Sequence, residues 1–331
     1  MEKPKYVVAI NSDRYKIDWE AETLSALPDL DIDLLSAPCI TEDDVIALAK
    51  DADAVVISTR TPITRHVVEH LPRCKVIGSY GVGLDHIDLN AAADVGIVVT
   101  HTPDYCTNEV ADHAMALMLS LNRHVVQFDR DLRQGAWINN GPGTRSILSG
   151  PMPPLRELTL GIIGLGRIGR KVAERARPFG LTLLAADPYI DQATAEQSGA
   201  ELVSQDELLQ RADLITLHCP LTPETKGLIN ATAFALMKPT AFLVNTARGP
   251  IVDLDAAIDA LTSGAIAGAA LDVVYPEPLP ADSPLYQLPN VILTPHAAYY
   301  SERSVQRIRT ETLDATLDVL RGRRPPTVAN P

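Results

Sequence analysis

The chain is predicted to fold as α/β, with two doubly wound domains that each carry a parallel sheet covered by helices on both faces. Three observations carry that prediction. Short β-rich runs alternate with helix-length segments throughout the 331 residues. Most of the runs are nearly continuous in Val, Ile, Leu and Ala, as parallel strands buried on both faces require. They also fall into two sets, and two sets imply two α/β domains.

The first set of predicted strands covers 6–10, 31–35, 54–58, 75–80 and 97–100. A helix follows by composition from Asn108 through Leu119, its Met and Leu residues serving as packing groups. Residues 135–154 are rich in Gly and Pro and include Trp137, so they read as an irregular loop or arm, long enough to reach a partner subunit in a dimer. The second set covers 159–163, 181–186, 214–218, 241–245, 267–273 and 291–294, with a helix expected from Arg170 to Phe179. Too little chain follows His296 for a third domain. Residues 301–320 read as a final helix with Val305, Ile308, Leu313, Leu317 and Leu320 on one side, which must dock on one of the two domains.

The second set opens on the most informative motif. The apolar run Leu160-Gly161-Ile162-Ile163 leads into Gly164-Leu165-Gly166-Arg167-Ile168-Gly169, and a second apolar run closes on Asp187. In Gly-x-Gly-x-x-Gly the first glycine permits a tight turn, the second lets a pyrophosphate approach the backbone, and the third lets helix and strand pack closely. The following helix N-terminus presents N–H groups and a partial positive charge to phosphate. Asp187 follows Gly169 at close to the offset of about 20 residues at which an acid binds a ribose 2′-hydroxyl. The domain reads as Rossmann-like. A carboxylate there repels a 2′-phosphate, so the expected cofactor is NAD rather than NADP.

Composition narrows the partners. Hydrophobic residues make up 46% and charged residues 21% of the chain, the balance of a folded protein. A formal net charge of −13 argues against a nucleic-acid backbone or an anionic membrane, though not against a small anion held by a few local cations. Cys39, Cys74, Cys106 and Cys219 are dispersed, with no pairing or metal-ligand spacing, so no metal site is expected and the thiols read as the reduced thiols of a cytoplasmic protein. The N-terminus enters a strand-like run without a signal-peptide pattern, and no apolar stretch is long enough to span a bilayer.

Three polar residues stand at predicted strand or loop ends of the second domain. Arg248 ends Leu243-Val244-Asn245-Thr246-Ala247-Arg248, Glu277 lies between Pro276 and Pro278, and His296 follows Thr294-Pro295. Ligands of open α/β sheets bind outside the carboxyl ends of the strands. Taken singly, Arg248 reads as a surface ion pair, Glu277 as a turn residue and His296 as a core histidine. Together they deliver a cation, a carboxylate and an imidazole to one edge.

Taken together, these motifs resemble the D-isomer-specific 2-hydroxyacid dehydrogenases over nearly the whole chain. Gly164 to Gly169, Asn245-Thr246-Ala247-Arg248-Gly249, Ala270-Leu271-Asp272-Val273, Pro276-Glu277-Pro278 and Thr294-Pro295-His296 occur in that family's order and spacing. The stretch from Thr294 to Glu302 is similar to the branch containing the C-terminal-binding-protein corepressors, which has Trp where this chain has Tyr299. The resemblance implies a continuous NAD domain (103–297) inserted in a discontinuous substrate domain (1–102 and 298–331), the cleft between them closing on substrate. It implies that Arg248 binds the substrate carboxylate and polarises the 2-keto oxygen, that His296 is the acid–base group, and that Glu277 holds the imidazole. The backbone of Gly81, Val82 and Gly83 would hold the same carboxylate, and Tyr299 would pack against substrate. Besides Gly164, Gly166, Arg167, Ile168, Gly169 and Asp187, the cofactor would meet His218, Cys219, Pro220 and Thr225 on its adenosine side. Thr246, Ala247, Arg248, Asp272 and His296 would line its nicotinamide side. The implied activity is interconversion of a small 2-keto acid and its D-2-hydroxy acid by a homodimer. The corepressor-like stretch supplies the alternative, an NAD(H)-sensing scaffold with weak catalysis. The family includes two further activities with their own sequence marks. Phosphoglycerate dehydrogenases have a basic pattern where this chain has Ile57-Ser58-Thr59-Arg60-Thr61, and formate dehydrogenases have Gln in place of Glu277.

Overall fold

A computed structural model describes residues 3–137 and 152–330. The chain divides into two compact units, Met1–Tyr105 with Ser301–Pro331, and Cys106–Tyr300. The crossings expected at 102 and 297 therefore fall at 105 and 300. Of the expected arm, 138–151 lie outside the described residues. Trp137, just before them, is exposed.

In the first unit, β1 (Lys5–Asn11), β2 (Asp31–Ala37), β3 (Ala54–Ser58), β4 (Val76–Tyr80) and β5 (Val98–Thr100) pair in the order β2-β1-β3-β4-β5, every pair parallel. All residues of β3 and β4 are buried, which explains runs without polar alternation. The helix Glu42–Ala49 starts at a capping box, in which Thr41 and Asp44 each bond the other's backbone N–H. The last helix, Glu302–Leu320, starts at another, between Ser301 and Ser304. It lies on β4, where Gly78 makes the approach possible: a Cβ at Gly78 would stand 2.5 Å from Thr316 Oγ1. Ile308, Leu313, Leu317 and Leu320 are buried as the periodicity requires, whereas Val305 is only partly so.

The second unit holds β6 (Thr159–Ile163), β7 (Thr182–Ala186), β8 (Glu201–Leu202), β9 (Leu214–Leu217), β10 (Phe242–Asn245), β11 (Gly268–Leu271) and β12 (Val291–Leu293). Their order is β12-β11-β10-β9-β6-β7-β8, again parallel throughout. The strand order reverses between β6 and β9, and ligands of such sheets sit outside the carboxyl ends at that switch point. Two elements differ from expectation. The helix expected from Arg170 runs Arg167–Ala176, because Gly166 is its N-cap, and Arg177–Phe179 forms a 3-10 turn. β8 pairs only two residues with Leu184 and Ala185, too short a run to announce itself.

The last helix is tied back to the chain's start by charge. Glu20, on the helix Asp18–Ser25, is fully buried and accepts from Tyr80 Oη at 3.1 Å and from Arg309 Nε at 2.7 Å. Removing one partner of a buried pair leaves the other without compensation, at a cost of about 3–5 kcal/mol. Arg309→Ala is therefore expected to lower unfolding free energy by about that amount. Urea titration checks it, and a change below about 1 kcal/mol would contradict the role assigned to the pair.

Candidate active site

Each chemistry-bearing loop of the second unit leaves the carboxyl end of a strand. The turn after β6 begins at Gly164, whose φ of 91° suits glycine. A Cβ there would stand 2.6 Å from the backbone N of Cys219, so the turn lies directly against the loop after β9. Gly169 packs closely enough that a Cβ would stand 2.2 Å from Gly164 O. At Gly166 a Cβ would meet nothing within 4 Å. Gly166 opens the helix Arg167–Ala176 and no side chain caps it. The result is an open space in front of uncapped helix N–H groups, the arrangement that suits a phosphate. Asp187, beyond β7, braces the turn: Leu165 N–H donates to Oδ2 at 2.8 Å and Tyr189 N–H to Oδ1 at 2.9 Å.

Across the switch point, His218 and Cys219 follow β9. His218 Nε2 bonds Thr216 Oγ1 at 2.9 Å, while Nδ1 is buried without a partner. Burial pushes the His218 imidazole down to about 3 and the Cys219 thiol up to about 11. Thr225 Oγ1 donates to Pro220 O at 2.6 Å and accepts from Thr222 N–H at 2.8 Å, closing this loop on itself.

The turn after β10 is built around Asn245, whose Nδ2 donates to Arg248 O at 2.9 Å and whose Oδ1 accepts from Ala247 N–H at 3.0 Å. Thr246 Oγ1 is buried without a partner. Arg248 Nη1 donates to Ala247 O at 2.8 Å. Gly249 lies against the loop after β11, where a Cβ would stand 2.1 Å from Val274 O. That loop carries Glu277 between two cis peptide bonds, Tyr275–Pro276 and Glu277–Pro278.

Asp272 is buried at the end of β11. Its Oδ1 accepts from Thr294 Oγ1 at 2.6 Å and from Ala297 N–H at 2.8 Å, and its Oδ2 from Ala298 N–H at 3.0 Å. Its carbonyl takes the His296 N–H at 2.8 Å. These bonds hold His296 at φ 54°, a left-handed conformation uncommon outside glycine. The ring meets Glu277, with Nδ1 2.9 Å from Oε1 and 3.1 Å from Oε2. An ionised carboxylate only accepts, so Nδ1 carries a proton and Nε2 is left to hold or release one. Tyr299 stands edge-on to the His296 ring at 6.4 Å between centroids.

Residues 115–298 match the sequence model of the D-isomer-specific 2-hydroxyacid dehydrogenase NAD-binding domain. The chain belongs to that family. It is 42% identical to a D-3-phosphoglycerate dehydrogenase of Methanocaldococcus jannaschii over 88% of its own length and 54% of that protein's, and so spans about half of that relative. A glyoxylate reductase of Korarchaeum cryptofilum is 40% identical over 86% of this chain and 85% of its own. Among solved structures, a D-lactate dehydrogenase of Aquifex aeolicus, complexed with NAD and lactic acid, superposes with a TM-score of 0.83 at 32% identity over 96% of both chains.

The family's dinucleotide is NAD, and the residues present fit it. Gly166 leaves room in front of a helix N-terminus, Asp187 closes the neighbouring strand, and His218 Nδ1 and Thr246 Oγ1 are buried polar atoms awaiting a partner. Arg248, Glu277 and His296 all stand on this unit's carboxyl edge. Asp272, expected from the resemblance to line the nicotinamide side, keeps its carboxylate inside the His296 loop, in contact with Thr294, Ala297 and Ala298. Gly81, Val82 and Gly83 follow β4 in the first unit, where Thr102 N–H bonds Gly81 O and His101 Nδ1 bonds Val82 O. Sequence reading missed Asn245, Thr294 and His113 as structural supports. His113 Nε2 lies 3.1 Å from Thr294 Oγ1, and nothing in its apolar helical surroundings signals that.

The burial of His218 makes the stability of the fold depend on pH. Its folded value, about 3, lies below the ordinary 6.5, so the unfolded chain binds a proton that the native state refuses. Stability is thus lost as pH falls below about 6.5 and the loss is complete near 3. Between pH 7 and 4.5 this single group contributes a loss on the order of 2–3 kcal/mol. His218→Gln, whose amide can still hydrogen-bond Thr216, should show a smaller fall in urea midpoint over that interval than the wild type. An equal fall would mean that the ring is hydrated.

Proposed function

We propose that the protein is an NAD-dependent dehydrogenase that interconverts a small 2-keto acid and the corresponding D-2-hydroxy acid. The observation that carries this reading is the His296–Glu277 pair, held at 2.9 Å on a loop whose backbone is fixed by Asp272. The bound nicotinamide supplies the hydride, or accepts it in the reverse direction. The turn Gly164 to Gly169, with Arg167 and Ile168, would hold its pyrophosphate and Asp187 a ribose hydroxyl. His218, Cys219, Pro220, Thr225, Thr246, Ala247 and Asp272 form or support the neighbouring walls.

Arg248 would pair with the substrate carboxylate and draw electron density toward the 2-keto oxygen, with the backbone of Gly81, Val82 and Gly83 as a second carboxylate contact and Tyr299 against the substrate's side chain. His296 Nε2 would give its proton to that oxygen as it becomes a hydroxyl, and take it back in the reverse direction. The Glu277 carboxylate accepts from Nδ1 and so fixes the orientation of the ring, leaving Nε2 to exchange the proton. A dinucleotide sensor needs the glycine turn but no positioned proton donor, so the pair favours the enzyme over the scaffold alternative. It also favours a hydroxy acid over formate, whose oxidation needs no proton relay. In the first unit, Ser58 Oγ donates to Asp13 Oδ2 and Thr61 Oγ1 to Cys39 O, so these hydroxyls are directed inward rather than toward a phosphate. A homodimer is proposed with this activity, on the exposed Val125 and Val126 and the exposed Trp137 of the expected arm.

A panel of 2-keto acids assayed with NADH should reveal turnover, and His296→Ala should lower kcat by about 10²–10⁴ while NADH still binds, as fluorescence would show. Strong NADH binding with no turnover across the panel, or unchanged turnover in His296→Ala, would hand the function to the sensor reading. Asp187 yields a second outcome: the wild type should have a higher kcat/KM with NADH than with NADPH, and Asp187→Ala should narrow the gap. Equal values in the wild type would remove the acid from cofactor choice.

A further inference from the structure

We infer that His113 is a positioning residue for His296, acting through Thr294 and Asp272; this rests on the reading of His296 as the proton donor. A threonine hydroxyl has a single proton, and that of Thr294, 2.6 Å from Asp272 Oδ1, is donated to the carboxylate. Its oxygen can therefore only accept from His113 Nε2 at 3.1 Å, so that nitrogen must carry a proton. The same Nε2 lies 3.6 Å from Asp272 Oδ1, close enough to add a favourable field. Asp272 in turn receives the N–H groups of Ala297 and Ala298. Thr294, Ala297 and Ala298 lie on both sides of His296, and all three converge on one carboxylate.

His113 brings to this cluster something the loop lacks, a fixed platform. It stands on the helix Thr107–Asn122, whose Ala111, Ala114, Met115, Leu117, Met118 and Leu121 are buried in the core of the second unit. A residue at φ 54° persists only where its surroundings over-determine it. The chain of donors from His113 to Thr294 to Asp272 ties the loop to that helix and so aims the His296 ring at Glu277. His113 contacts neither the glycine turn nor Arg248 in this network. Its loss should therefore disturb the proton donor while leaving cofactor and substrate affinity in place.

The test compares His113→Phe with His113→Gln, whose amide nitrogen can stand in for Nε2 as a donor. At saturating NADH, His113→Phe should lower kcat by about 10–100-fold, the scale of a small misplacement at the reacting centre. KM and the NADH Kd should change by less than about threefold, and His113→Gln should recover most of kcat. In parallel, histidine-selective ¹⁵N NMR of the unliganded protein should show His113 protonated at Nε2 and His296 at Nδ1. The His296 Nδ1–H signal should survive in His113→Gln and be lost in His113→Phe. The inference is overturned if His113 is protonated at Nδ1 alone, if His113→Phe leaves kcat and the His296 signal unchanged, or if His113→Gln is as impaired as His113→Phe. The NMR arm needs no turnover, so failure of the dehydrogenase reading would leave it able to decide whether His113 positions His296.

Discussion

The Asp272 carboxylate is removed from water, and a charge so placed must be met by hydrogen-bond donors. The donors come from the loop after β12: the hydroxyl of Thr294 and the N–H groups of Ala297 and Ala298. A loop that turns these groups toward one point has little freedom at the residue among them. That residue is His296, and its left-handed backbone follows from the demand made on both its flanks. The pairing of its ring with Glu277 is then a matter of where the next loop passes. One buried charge thus sets a backbone, the backbone sets a ring, and the ring sets which nitrogen faces outward.

The other loops are placed by backbone contact rather than by side chains. Gly164 lies against Cys219, Gly169 against Gly164 O, and Gly249 against Val274 O, each so closely that a methyl group would not fit. Contacts of this kind leave no rotamer to adjust, so the turn after β6 is held against the loop after β9, and the turn after β10 against the loop after β11. This is the rigidity that a site assembled from six strand ends requires, since small displacements are costly in catalysis.

That geometry also explains what was legible in the sequence. Gly164, Gly166, Gly169 and Asp187 could be read because each answers a local backbone or charge requirement at a fixed spacing. Arg248, Glu277 and His296 were locatable as strand-end residues, but their convergence was legible only through the family's motif order, since nothing local says that the loops after β10, β11 and β12 face one another. His113 was invisible because its partner Thr294 is remote in sequence and its neighbours are ordinary apolar helix residues. The Glu20–Arg309 pair escaped for the same reason, as it joins the two ends of the chain. The helix start at Arg167 was misplaced because a glycine N-cap gives no side-chain signal.

A chain with a net charge of −13 is an unexpected host for a dinucleotide and for the keto acid proposed above, both anionic. The resolution lies in distance. Charges more than about 8 Å away are largely screened at physiological salt, whereas groups inside a partly buried site interact strongly. Along this carboxyl edge the acids are already engaged: Asp187 by the N–H groups of Leu165 and Tyr189, Asp272 by its loop, Glu277 by His296. The positions proposed to receive anions are of the opposite kind, an uncapped helix N-terminus at Gly166 and the guanidinium of Arg248. The sign of the field is therefore settled group by group at the strand ends, and the acidity of the remaining surface leaves it unchanged.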